Sequence, residues 1–234
     1  RGGRVVVAGQ LDPAQVVDHL QSECQRMTWS NRTLEPLLPE TPADPVQKFI
    51  ERPLAQVHLV WAWSAPTVHD QHRAAWQVLS RILGASGSGR LFHEVRQKRS
   101  LCYAVGGGWA PSDDFGRFMV SAGTTPDRAT ETVQVVEEVM HGILTDRPAE
   151  EEIVRAKEGV LSALTLRRES TAARASVLGN HFTTFGEVWD PKKEVQSIVD
   201  VDQAAIDAAL SAWAPGSPWA VALGATNPFS DAAT

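Results

Sequence analysis

The chain has 234 residues, of which 43% are hydrophobic, and a formal net charge of −6. Its apolar content is enough to bury about one full domain and part of another. The negative charge and the lack of a basic cluster argue against a nucleic-acid-binding protein, because such proteins neutralise phosphates with lysine and arginine. The best apolar run, residues 57–63, is interrupted by His58 and has only the length of a strand, so we expect no membrane span.

The cysteines and the first residues suggest where the protein is located. Cys24 and Cys102 lie far apart in sequence, and we expect two reduced thiols rather than a disulfide, and therefore a cytoplasmic protein. The opening sequence RGGRVVV has no apolar signal-peptide core, so we expect no secretory leader. It also lacks a methionine, and we expect it to begin at a cut or at a boundary within a longer chain.

Residues 1–30 predict one strand, beginning at Arg4, and one helix over residues 11–27. A short apolar strand followed by Gly, two residues, Asp or Asn, and Pro occurs here and again near the other end, as RVVVAGQLDP at 4–13 and WAVALGATNP at 219–228. In both places glycine releases the strand into a turn, and proline suits the first position of a helix. A strand and a helix cannot bury a core of their own, so we expect this segment to pack on a separate fragment or subunit.

Residues 31–53 predict a linker, because proline blocks both helices and central strands. The segment contains five prolines: Pro36, Pro39, Pro42, Pro45 and Pro53. Residues 54–234 then predict a domain with strands at 56–65, 103–110, 115–123 and 219–224, and helices at 70–83, 126–144, 148–168, 171–185 and 202–214. This order predicts an α+β fold in which helices cover one face of a mostly antiparallel sheet.

The most informative segment is residues 83–105, LGASGSGRLFHEVRQKRSLCYAV. A predicted helix ends in a glycine- and serine-rich turn at 84–89, a short basic amphipathic helix follows, and a strand opens at Cys102 and Tyr103. No Lys-Ser/Thr follows the glycines, which argues against a phosphate-binding loop.

This segment resembles the second domain of the M16 zinc metallopeptidases, the pitrilysin and mitochondrial-processing-peptidase family. Members carry S-R-L-(F/Y)-x-E-(V/I/L)-R-x-(K/E)-x-x-L-x-Y after a glycine-rich turn, and residues 88–103 here read SGRLFHEVRQKRSLCY. The inserted Gly89, and Ser100 and Cys102 in places often held by Gly and Ala, are mild departures.

The resemblance implies a role for two residues of this segment. In the family an Arg and a Tyr seven positions apart reach a substrate held at a zinc site in the other domain, and Arg96 and Tyr103 have that spacing. The turn residues Gly84, Gly87 and Gly89 are then candidates for peptide contact. Because M16 halves are copies of one fold, residues 1–30 would be the tail of a preceding copy.

The sequence contains no zinc-binding H-x-x-E-H, which places two His and a Glu on one helix. His69 and His72 stand in H-D-Q-H and predict solvated surface, whereas His58 predicts a packed core histidine. Neither a histidine cluster nor a nucleophile signature occurs elsewhere, and Cys102 has no His-containing signature near it. We therefore expect the chain alone to hold no metal and hydrolyse no peptide, with zinc carried by an H-x-x-E-H domain upstream or on a partner chain of a heterodimer.

Other interpretations of these residues stay open at this point. Arg96 fits a solvated basic helix. Tyr103 fits a strand aromatic with a surface hydroxyl. The turn fits a simple helix terminator, and Trp61 and Trp63 fit a packed sheet face, an apolar wall for peptide side chains or a subunit contact.

Our leading hypothesis is the C-terminal portion of an M16-type zinc endopeptidase that presents Arg96 and Tyr103 to a peptide or protein substrate. The alternatives are a non-catalytic structural subunit of a larger complex and a free-standing peptide-binding module.

Overall fold

The computed structural model of the protein describes residues 4–27, 44–84, 87–167 and 169–229. The strands are β1 (Gln47–Glu51), β2 (Val57–Ala65), β3 (Cys102–Pro111), β4 (Gly116–Thr124) and β5 (Trp219–Gly224). The helices are α1 (Pro13–Gln25), α2 (Arg73–Leu83), the π-helix Phe92–Lys98, the 3₁₀ turn Pro126–Arg128, α3 (Ala129–Gly142), α4 (Glu150–Leu166), α5 (Thr171–Phe185), α6 (Pro191–Val199) and α7 (Gln203–Ala212). The α+β prediction is therefore confirmed.

The sheet has the strand order β1-β5-β2-β4-β3 and is antiparallel except for the β1–β5 pair. Strand β1 lies within the predicted linker and was missed. Proline at 45 and at 53 flanks this strand, which occupies an edge, the position at which proline is tolerated near a sheet. Residues 31–43 of the predicted linker lie outside the described residues, and the division at 1–30, 31–53 and 54–234 stays a prediction.

One face of the sheet is buried and the other is exposed, because side chains alternate along a strand. On β2 the buried positions include Trp61 and Trp63, both 0% exposed, which excludes an apolar wall for peptides made by this pair. The prediction of a core position for His58 was wrong. His58 lies between the buried Val57 and Leu59 and therefore faces outward, where it is exposed.

Aromatic side chains join the buried face to the helices. The ring of Trp76 on α2 meets the ring of Trp213, which follows α7, edge-on at 5.1 Å between centroids, and Trp213 lies 6.4 Å from Phe118 on β4. The indole of Trp213 donates to the Ser64 carbonyl at 2.7 Å. Burying each such ring contributes about 1.5–3 kcal/mol, so this contact fixes α2 and α7 on one face of the sheet.

The helix predictions are confirmed apart from α6, which was missed. Side chains that accept backbone N–H groups mark three helix starts: Asp12 before α1, Ser170 before α5 and Asp202 before α7. Helix α5 ends at Gly186 with φ of 73°, a left-handed conformation that glycine adopts without strain.

The chain divides into two compact units, and the smaller comprises residues 1–41 and 163–191. Within it, the Arg4 guanidinium donates to the Phe182 carbonyl at 3.0 Å and lies over the Phe182 ring. The predicted strand beginning at Arg4 was wrong, since residues 4–8 form no strand. No neighbouring strand pairs with them among the described residues, and an isolated strand cannot satisfy its backbone groups. The packing of residues 1–30 on a separate fragment stays a prediction.

Cys24 and Cys102 form no disulfide, and Cys102 is buried whereas Cys24 is half-buried. In the part of the chain that the structure describes, none of the helices has both the length and the apolar character needed to cross a membrane.

A carboxyl group beneath the sheet links stability to pH. Burial raises the pKa of Glu137 on α3 above its ordinary 4.5, and the Trp61 indole and His141 offset this only in part. The folded state thus binds the proton more tightly than the unfolded state. Protonation of Glu137 therefore stabilises the fold fully below the ordinary pKa, and this stabilisation is lost as pH rises through the folded pKa.

We expect Glu137→Gln, which cannot ionise, to unfold at a higher temperature than the parent chain at pH 7, with the difference shrinking towards pH 4. Thermal unfolding followed by circular dichroism across this range measures it. The exposed neighbour Glu138→Gln is the control and should change little. A Glu137→Gln effect that grows towards low pH would contradict the assignment.

Candidate functional site

The segment singled out in the sequence begins with a tight contact between α2 and β3. The Gly107 amide donates to the Gly84 carbonyl at 3.2 Å, and the Trp109 amide donates to Ser80 Oγ at 3.0 Å. A Cβ on Gly84 would lie 3.1 Å from the Gly107 nitrogen, so the two backbones meet where side chains do not fit. The end of α2 thereby covers the outer edge of β3 at these residues.

The helix Phe92–Lys98, called the motif helix below, is anchored at its start by Arg90. The guanidinium donates to both carboxylate oxygens of Glu152 at 2.8 and 2.9 Å, and also to the Asp146 carbonyl at 2.7 Å. Its side chain is 17% exposed. Hydrogen bonding to Glu152 raises the pKa of Arg90 and lowers that of Glu152, so the pair is charged at neutral pH and ties the motif helix to α4.

The motif helix turns into β3 through Ser100, whose φ of 52° is left-handed. This conformation costs a non-glycine residue roughly 1 kcal/mol, and it needs support from neighbours. The Ser100 carbonyl accepts from the Arg128 guanidinium, and the next carbonyl, that of Leu101, accepts from the Thr124 hydroxyl. The turn is thus fastened to β4 and the 3₁₀ turn that follows it.

A β-bulge places Tyr103 on the exposed face of the sheet. In the β3–β4 register Cys102 pairs with Thr124 and Ala104 with Gly123, which leaves Tyr103 as an extra residue. Cys102 is buried, whereas Tyr103 and Ala104 are both exposed, Tyr103 at 79%. Without the bulge, regular alternation would not allow two consecutive residues to face solvent.

Arg96 and Tyr103 are brought together by this turn and bulge. The Arg96 guanidinium carbon lies 5.1 Å from the Phe92 ring centroid and 5.9 Å from the Tyr103 ring centroid, within range of a cation–π contact. The motif's other basic side chains are committed, because Lys98 and Arg99 bind the two oxygens of Glu94, each at 2.7 Å. Within the described residues no carboxylate pairs with Arg96, so its donors remain available to a ligand.

The electrostatic setting of the pair follows from these contacts. Hydrogen bonds from Lys98 and Arg99 lower the pKa of Glu94, so that carboxylate stays charged and keeps both cations bound to it. Burial raises the pKa of the Cys102 thiol, while the Arg96 charge acts in the opposite direction. A protonated buried thiol is a poor nucleophile, which agrees with a structural Cys102.

The glycines of the turn differ in their surroundings. Gly84 and Gly89 are buried against each other, and a Cβ on Gly89 would lie 3.1 Å from the Gly84 Cα. Gly87 is exposed, and a Cβ there would meet no atom within 4 Å. Packing accounts for Gly84 and Gly89, while a peptide contact by any of the three stays a prediction. Residues 85 and 86 of the turn lie outside the described residues.

A cavity of about 460 Å³ opens beside Tyr103 on the exposed face of the sheet. Its walls include His58 and Val60 of β2, Ser121 of β4, and Val105 and Gly106 of β3. The wall thus combines polar and apolar side chains of three neighbouring strands with Tyr103. Such a surface offers hydrogen-bonding groups and space for an extended ligand.

The histidines form no metal centre in the described ranges, where no group of three or more His, Cys, Asp or Glu side chains could hold an ion. His69 is exposed, as predicted, and its Nε2 lies 3.0 Å from Asp113 Oδ1. A pair on two surface loops does not supply a zinc ligand set.

The glycine at 107 allows a direct test of how closely β3 packs against β4 beside the site. A Cβ at this position would lie 2.5 Å from the Met119 carbonyl oxygen and 2.9 Å from a Val120 methyl group. We expect Gly107→Ala to destabilise the fold by about 1–3 kcal/mol through overpacking, measured from the midpoint of urea unfolding. Gly87→Ala is the matched control and should leave the midpoint unchanged. Equal midpoints for both variants would show that β3 yields at this contact.

Comparison with known proteins gives a family match over two thirds of the chain. Residues 4–160 match the model of the peptidase M16 inactive domain. A protein of Rickettsia bellii named an uncharacterised zinc protease is 27% identical over 204 residues, which is 86% of this chain and 48% of that protein. One of Mycobacterium bovis with the same description is 31% identical over 138 residues, 59% of this chain and 32% of that protein. The chain thus spans at most about half the length of these curated relatives.

Solved structures show the same fold. A peptidase M16 inactive domain from Pseudomonas fluorescens superposes with a TM-score of 0.82 at 22% identity, covering 94% of this chain and 52% of that one. A protease from Helicobacter pylori gives a TM-score of 0.81 at 14% identity, covering 93% and 53%. Each solved chain therefore contains about as much structure again as the part that this chain matches.

Proposed function

This chain belongs to the M16 peptidase family as a domain of the inactive type, and we propose that it supplies the substrate-side wall of a zinc endopeptidase. In this proposal Arg96 and Tyr103 bind and polarise the peptide carbonyl that is cleaved. The zinc and its ligands lie on an H-x-x-E-H domain, either in the same precursor or on a partner subunit. The inactive type of the domain agrees with the lack of a metal-ligand group among the described residues.

The observation that carries the proposal is the meeting of Arg96 and Tyr103 on the exposed face of the sheet. Their side chains come from different elements, and only the left-handed turn at Ser100 and the bulge bring them to one place. A tyrosine that is 79% exposed contributes little to the core. The strain and the exposure favour a functional reason for this arrangement.

The chemistry of the two side chains suits a peptide bond under attack. Zinc in the partner domain would supply the activated water, and the carbonyl oxygen becomes negative as the water adds. Arg96 offers a permanently charged fork of N–H donors, and the Tyr103 hydroxyl donates from a rigid ring. Donors held in place before the reaction stabilise the developing oxyanion without reorganisation.

The relatives support a longer protein with zinc-dependent activity. Those described above are named zinc proteases, and this chain covers about half of the Rickettsia protein. We propose that the chain pairs with a catalytic M16 domain, that peptides or proteins are its substrates, and that it works in the cytoplasm, where both thiols would stay reduced.

The pair is tested by substitution in the assembled enzyme. We expect Tyr103→Phe to lower kcat/KM by about 10²-fold or more, because the oxyanion donor is lost while the ring and its packing remain. Arg96→Lys should also reduce activity strongly, since lysine keeps the charge but not the fork. Peptide hydrolysis under steady-state conditions measures both.

The control for these variants is Arg99→Lys, because Arg99 is committed to Glu94 and should be dispensable for turnover. Small and equal effects from all three substitutions would contradict a role in catalysis. An assembly with no peptidase activity at all would favour the structural-subunit alternative instead.

A second test concerns the metal. We expect the purified 234-residue chain to bind no stoichiometric zinc and to cleave no peptide by itself. Elemental analysis after dialysis against dilute zinc measures the bound metal. One tightly held zinc per chain would show a metal site in this chain. That result would overturn the proposal that zinc is bound only by another domain or subunit.

A further inference from the structure

Strand β3 lies at an edge of the sheet, and only part of that edge is covered. The amides of Gly107 and Trp109 point away from β4 and are bound to Gly84 and Ser80. In an antiparallel pair such outward groups recur at every second residue, so the Val105 amide and carbonyl also point outward. Within the described residues no hydrogen bond reaches the Val105 amide.

We propose that this uncovered edge, Tyr103–Val105, binds the substrate as an added β-strand. An extended peptide would exchange backbone hydrogen bonds with Val105 and lie beside the Tyr103 ring. This inference rests on the proposed function and goes beyond it, because it assigns the backbone of β3 as a binding element next to the two side chains. Edge strands with free N–H and C=O groups are templates for such pairing.

The geometry favours a short peptide segment over a second copy of the chain. The end of α2 closes the edge at Gly107, and the bulge disrupts regular pairing at Tyr103, so about three residues remain open. Strands in globular proteins usually have about five or six residues, so this opening is short for pairing between the sheets of two copies. At the open end the Arg96 guanidinium, without a carboxylate partner among the described residues, complements a peptide's carbonyl oxygens or C-terminal carboxylate.

The cavity beside this edge gives a peptide room for its side chains. It is about 460 Å³ in volume and includes Tyr103, Ala104, Val105 and Gly106 in its walls. Val60 and Ser121 form its floor on the neighbouring strands, and both are exposed. A strand added at the edge would direct alternate side chains to the exposed face of the sheet, the side on which this cavity opens.

Amide hydrogen exchange on the 234-residue chain tests the proposal. The probe is an acetylated, amidated nine-residue peptide of Ala, Val and Thr with one Lys at each end for solubility, added at millimolar concentration. We expect the Val105 amide to exchange at least about 10-fold more slowly with peptide present, because it acquires a partner. The Gly107 and Trp109 amides, already bonded, are internal controls and should not change. No slowing at Val105 would overturn the proposal.

N-methylation of the peptide provides a second measurement that needs no protein variant. A free peptide can present either of its two hydrogen-bonding edges to β3, so we expect methylation of one set of alternate amides to leave the protection and methylation of every amide to abolish it. Protection by the fully methylated peptide would contradict strand addition. Protection of Val105 that appears without peptide and rises with protein concentration would show pairing between copies and also overturn the proposal.

The outcome is separable from that of the proposed function. Loss of turnover in Tyr103→Phe with no protection at Val105 would leave the Arg96–Tyr103 role standing and remove the added strand. Protection at Val105 with full turnover in Tyr103→Phe would do the reverse.

Discussion

The contact between the end of α2 and the backbone of β3 is the constraint on which the site depends. A helix terminus and a strand approach closely enough for the Gly84 carbonyl to bind the Gly107 amide, and neither position has room for a side chain. Three consequences follow from this one approach. It closes part of the sheet edge, it fixes where the glycine-rich turn begins, and it sets the point from which the motif helix starts.

The charges of the motif helix are sorted by their partners rather than by their sequence. Arg90 is half-buried and bound to α4 through Glu152, while Lys98 and Arg99 share the carboxylate of Glu94. The neighbouring cations are thus paired with carboxylates inside the domain, whereas Arg96 lies beside two aromatic rings. A basic helix that looks uniform in sequence therefore contains one guanidinium that differs from the rest in what it touches.

Much of the fold follows from the sequence, because its signals are local. Its Val and Trp content located β2, period-two alternation located β4, and the glycine at 186 marked the end of α5. Strand β1 was missed because a strand of five residues flanked by prolines carries almost no periodic signal. Its pairing with β5 joins distant parts of the sequence, so a local pattern does not predict it. His58 was misassigned for a related reason, as alternation gives two faces without saying which one is covered.

The candidate site was predictable in its members but not in its geometry. The spacing of Arg96 and Tyr103 and the resemblance to a family motif identified the pair. The bulge that exposes Tyr103 has no marker in the sequence, since Cys102, Tyr103 and Ala104 are compatible with a regular strand. The uncovered edge of β3 was equally out of reach, because it depends on where a distant helix ends.

The bulge also makes the site sensitive to chain length in a way that substitutions do not reveal. With the extra residue present, the motif tyrosine and the residue after it share the open side of the sheet. Removing one residue from this stretch would restore the regular alternation of side chains. Either the tyrosine ring would then move to the buried face of the sheet, or the residues before it would exchange faces. The seven-residue spacing between arginine and tyrosine thus acts together with the bulge, which sets the face of the sheet on which the tyrosine lies.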